Sequence, residues 1–134
     1  MSKASAFLKP AFEPRTEEVA ISSRFLDGDG NPATFRIKTI TQEENEALAK
    51  RASSAGRGGA QTVDRKKYGR LLIAACVEEP DFASKELCDA YGTTDPLDVP
   101  GRMLLAGEYA RLTDRILELN EFKEFGELLE EAKN

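Results

Sequence analysis

Few side chains in this sequence are suited to chemistry, and their spacing limits what they can do. Histidine is absent. That removes the commonest general base, the Ser-His and Cys-His nucleophile pairs, and most zinc and iron sites. Cys76 and Cys88 stand apart with no third cysteine, so they read as reduced, buried thiols rather than a disulfide or metal clip. Gly56-Arg57-Gly58-Gly59 is glycine-rich, but no Lys-Ser/Thr pair follows at phosphate-loop spacing, and no dinucleotide fingerprint occurs. Asp27, Asp29 and Asn31 match the first three ligands of a calcium loop. The position that needs Gly is Pro32 and the one that needs Glu is Lys38, so a plain turn is the better reading. The expectation is a chain with no catalytic residues, no cofactor and no metal, and not an enzyme.

Charge narrows the partners. Residues 1–70 carry 13 basic and 9 acidic side chains, net +4, while residues 71–134 carry 6 and 15, net −9. The acidic half argues against general nucleic-acid binding, which depends on phosphate neutralisation. Arg65-Lys66-Lys67 with Arg70 is the one candidate basic patch; without interleaved aromatics it reads as the solvated face of a helix. The longest apolar run, Leu71–Val77, has seven residues, far short of the roughly 18 of a membrane span. With no apolar stretch after Lys3 and Lys9 to act as a signal peptide, an intracellular location and no membrane partner are expected.

The elements that must position these residues follow from periodicity. The 134 residues suit one domain, 17–134, behind an extended arm, 1–16, in which Pro10 and Pro14 oppose a helix. Val19 and Ile21, then Phe35 and Ile37, alternate with polar neighbours around the turn chemistry of residues 27–32, predicting a β-hairpin over 18–40. Thr41-Gln42-Glu43-Glu44 is a capping box opening a helix of about 42–53. Residues 53–62 have little apolar surface and read as a flexible loop, with a phosphate- or partner-binding loop as the functional alternative. Asp64 can cap a helix of about 65–78, apolar around most of its circumference and so the central core helix. A short helix near 83–90 with Gly92 as its C-cap, and a turn capped by Asp95-Pro96, come next. The predicted class is α+β, mainly α: an N-terminal hairpin, then a helical part, 42–134, forming a compact bundle of about five helices.

The last third is the most patterned. Leu105, Tyr109, Leu112, Ile116 and Leu119 recur at spacings of four and three, predicting a helix of about 103–119. Phe122, Phe125, Leu128, Leu129 and Ala132 mark a second amphipathic helix of about 121–132, broken from the first or slightly bent at Asn120, with five glutamates opposite. Either stripe could pack into the protein's own core or be offered to a partner. The candidate partner-binding residues are therefore Leu105, Tyr109, Leu112, Ile116, Leu119, Phe122, Phe125, Leu128 and Leu129.

The order of these features carries a resemblance. Phe35-Arg36-Ile37-Lys38 is followed by a helix, a glycine-rich loop, Asp64-Arg65-Lys66-Lys67-Tyr68, Cys76-Val77-Glu78-Glu79-Pro80-Asp81-Phe82, Asp95-Pro96 and Gly107-Glu108-Tyr109. Over roughly residues 30–134 the chain resembles the XkdN-like tail assembly chaperones of long-tailed phages and PBSX-type prophages. The resemblance implies a protein that binds the tape-measure protein and keeps it soluble during tail assembly. It also implies residence in the bacterial host cytoplasm and absence from the mature virion. The tail tube protein is a further implied partner. So is a longer, frameshifted form of the chain, since Ala132-Lys133-Asn134 permits slippery codons. Self-association is compatible with the same stripes. The competing class is a minor structural or connector component of the tail.

Overall fold

The structure, a computed structural model, describes residues 3–8, 14–55, 57–59 and 61–122. Strand β1 (Thr16–Ala20) pairs antiparallel with β2 (Thr34–Lys38), Val19 facing Phe35 and Thr16 facing Lys38. Val19, Ile21, Phe35 and Ile37 are buried, so the period-two pattern does set the inward face. The connecting loop is folded by Asp27, whose Oδ1 accepts from the amides of Asp29 and Asn31 at 2.8 and 3.0 Å. Gly30, at φ 83°, makes the turn that a side chain would oppose.

Helix α1 (Gln42–Arg51) starts with the expected capping box: Glu44 N donates to Thr41 Oγ1 and Thr41 N donates to Glu44 Oε1, both at 3.1 Å. The glycine-rich stretch, expected to be a loop, instead pairs β3 (Ser53–Ala55) with β4 (Gln61–Val63) in a small antiparallel ribbon. Asp64 caps α2 (Arg65–Cys76), accepting from the Lys66 and Lys67 amides. This helix ends two residues before the predicted boundary, because Val77–Glu79 forms β5 and adds a third strand beside β2. An apolar run such as Leu71–Val77 carries no periodicity that separates helix from buried strand. Ser84 caps α3 (Lys85–Ala90), Asp95 caps a 3-10 turn at Pro96–Asp98, and α4 (Val99–Met103) leads to α5 (Ala106–Leu119). In the N-terminal arm, expected to be extended, Lys3–Phe7 forms a short 3-10 turn.

The class is mixed α+β, as expected, but the helices do not stand as a bundle apart from the hairpin. Helix α5 packs on both α2 and β2. One core joins Val19, Phe35 and Ile37 of the sheet to Leu71, Leu72, Ile73 and Cys76 of α2 and to Leu112 and Ile116 of α5.

Candidate partner-binding surface

Helix α5 carries four of the nine candidate residues, Tyr109, Leu112, Ile116 and Leu119, and its faces are spent differently. On one face Leu112 and Ile116 are 0% exposed. Tyr109, Leu119 and Phe122 are half-buried against the same core. Packing at this density leaves no room for a partner's side chains, so Leu112 and Ile116 are core residues and not a surface. Leu105, the residue before the helix, is 60% exposed. Phe125, Leu128 and Leu129 lie outside the described residues.

The other face of α5 is tied to the hairpin by a ladder of arginines. Arg24 Nε donates to Glu108 Oε2 at 3.0 Å and its Nη2 to Glu108 Oε1 and the Met103 carbonyl. Arg111 donates to the Ile21 carbonyl, Arg115 to Glu17, and Arg15 to the Leu119 carbonyl at 2.9 Å. Along α5 the contacts advance from 108 to 119 while their hairpin partners run back from 24 to 15. The helix therefore lies antiparallel to β1. Sequence reasoning missed this ladder. Glu108, Arg111 and Arg115 share a helical face, but their partners are distant in sequence.

Glu108 is 7% exposed. Its carboxylate accepts from Arg24 and from the Leu105 amide, and these donors hold its pKa down to about 2. It is thus a fixed anion that anchors the helix rather than a proton carrier. The crevice beside it, about 360 Å³, is lined by Arg24, Arg111 and Leu105 among others. A larger crevice of about 640 Å³ lies over Cys88, Thr93 and Arg102, whose guanidinium is held by the Tyr91 and Gly92 carbonyls.

The C-terminal end of α5 is fixed by Asn120. Its side-chain oxygen accepts from Ile40 N at 2.9 Å, and its Nδ2 donates to the Ile116 carbonyl at 2.9 Å and points at Cys76 Sγ. Burial pushes the Cys76 thiol up to about 11, which leaves it a packing group rather than a nucleophile. Cys88 is also free and buried. Among the described residues no group of acidic and cysteine side chains is placed to hold a metal ion, and no helix is long and apolar enough to cross a membrane. The Arg65–Arg70 stretch lies at the exposed start of α2, where Arg70 is 3.6 Å from Asp98.

A protein-family model, described as the phage XkdN-like tail assembly chaperone protein, matches residues 4–133. The chain belongs to the XkdN-like phage tail assembly chaperones. It is 38% identical over 138 residues to the phage-like element PBSX protein XkdN of Bacillus subtilis strain 168, covering 96% of this chain and 93% of the relative. It is 39% identical over 126 residues to the protein YqbN of the same strain, covering 90% of this chain and 84% of YqbN. The crystal structure of YqbN superposes with a TM-score of 0.76 at 31% identity, over 88% of this chain and 96% of that one. Membership of this chaperone family spans the hairpin as well as the helices, so the arginine ladder lies within the family's domain. The family's role, that of a tail assembly chaperone, is not an enzymatic one.

Proposed function

We propose that this chain binds the tape-measure protein of its phage or prophage and keeps it in solution until the tail tube forms around it. The observation that carries the reading is the family match across residues 4–133. A long helical protein exposes apolar stripes that associate in water, and a small protein with an acidic exterior can cover such stripes and add charge. The first stripe of the sequence is claimed by the fold at Leu112 and Ile116. The binding role therefore falls to the second, Phe125, Leu128 and Leu129, with exposed Leu105 as an accessory. The protein works in the host cytoplasm and is left out of finished particles.

The test is co-expression with the long helical protein encoded beside it. The partner becomes soluble and copurifies with the wild-type chain, while Phe125→Glu with Leu128→Glu loses copurification. A partner equally soluble without the chain overturns the reading. Detection of the chain in purified particles points to a structural component of the tail instead.

A further inference from the structure

We infer that the stop of α5 at Glu121 is a latch on the partner-binding stripe. When it opens, α5 continues as one helix to about residue 132 and turns that stripe outward. The inference rests on the proposed binding of the tape-measure protein and adds its regulation.

The helix stops without a stop residue. Glu121 has φ 59°, and every other described residue with a positive φ is a glycine. A Cβ in that region meets the following carbonyl oxygen, so a glutamate sits there against its own preference. Residues 120–134 hold no proline and a single glycine, Gly126, so nothing in the local sequence obliges α5 to end. Distant contacts hold the stop instead. Phe122 is half-buried against the core, and its amide donates to the Leu117 carbonyl at 2.9 Å. Arg15 Nη2 donates to the Leu119 carbonyl at 2.9 Å. In a continued helix that carbonyl would accept from the amide of residue 123, so Arg15 and the next turn compete for one acceptor. Arg15 is itself pinned beside the end of β2: its amide donates to Thr39 Oγ1 at 3.0 Å, and its carbonyl accepts from Thr39 N at 2.9 Å. Asn120 already has φ −81° and ψ −2°, so its bonds to Ile40 and Ile116 are compatible with both states.

Helical periodicity sets the consequence. At 3.6 residues per turn, Phe122, Phe125 and Leu129 of a continued helix lie about 130° around the axis from Leu112 and Ile116, with Leu128 beside them. Phe122 then leaves the core and joins the outward stripe. In the stopped state the first residue of that stripe is spent on the protein's own core. A partner that binds the assembled stripe draws the chain towards the continued helix, because it favours only that state.

The experiment is NMR on the isotope-labelled full chain, followed by competition with wild type for the co-expressed long helical protein. Glu121→Gly favours the stop and keeps residue 121 left-handed. Arg15→Ala with Glu121→Ala weakens it, and the Cα shifts of residues 121–125 move to helical values. Relative to wild type, Glu121→Gly loses capture of the partner about fivefold, the scale of the left-handed penalty that glycine escapes, and the double variant gains it. A double variant whose residue 121 stays left-handed overturns the inference. So do variants that shift the backbone as expected yet compete equally with wild type. The NMR measurement contains no partner, so it judges the latch by itself. Failure of tape-measure binding is read separately, from Phe125→Glu with Leu128→Glu.

Discussion

Glu108 shows how one residue can hold an element in place. It sits at the third position of α5, where its Oε1 accepts from the Leu105 amide at 2.8 Å, and the Arg24 guanidinium donates to both carboxylate oxygens. These donors stabilise the ionised form, so the carboxyl lies near 2 instead of 4.5. A depressed carboxylate pKa contributes stability that is fully present above the unfolded value and is lost as pH falls through the folded one. Glu108→Gln removes that contribution at neutral pH. Thermal melts should therefore show the variant well below wild type at pH 7, with the gap closing as pH falls from about 4.5 towards 2. A gap that stays constant across that range would mean that ionisation of Glu108 is not what ties α5 to the hairpin.

At the scale of elements, two helices end by the same device with different residues. After α3, Thr93 N donates to the Cys88 carbonyl and Gly92 N to Asp89, with Gly92 at φ 65°. After α5, Phe122 N donates to the Leu117 carbonyl and Glu121 N to Glu118, with Glu121 at φ 59°. Both are Schellman caps, but only Gly92 occupies the left-handed region without a Cβ penalty. Glu121→Gly should stabilise the fold by about 0.5–1 kcal/mol, read as a rise in the denaturant midpoint. The ion pair it loses, Arg15 to Glu121 at 3.8 Å and exposed, is worth little against that. Local signals of this kind were legible in the sequence: the Thr41 box, the Asp64 and Asp95 caps, Gly92 and the interruption at Asn120 all act through residues a few positions apart. The ribbon at 53–63 was not, because Val63 is its one large apolar residue. Nor was β5, hidden at the end of an unbroken apolar run, nor the arginine ladder, whose partners Arg24 and Glu108 are 84 positions apart. Of the candidate surface, sequence supplied the stripes but not their destination, since an amphipathic helix looks the same whether its apolar face meets its own core or a partner.

For the molecule as a whole, the destination of the first stripe decides how the fold coheres. Leu112 and Ile116 sit where α5 meets both α2 and β2, and both are wholly buried. Removing their side chains should be felt by sheet and helices together. Leu112→Ala should cost about 2–5 kcal/mol, from lost transfer energy and the cavity left behind. That is a large part of the roughly 5–15 kcal/mol that a domain of this size has in total. Leu105→Ala, at an exposed position on the same sequence stripe, should change stability by less than about 0.5 kcal/mol. Urea unfolding of the two variants separates the roles that the heptad spacing had joined. A Leu112→Ala chain as stable as wild type would return that residue to the docking surface. A large loss there, with Leu105→Ala unaffected, means that the domain seals its own core with Leu112. Partner recognition then has to be sought outside that core.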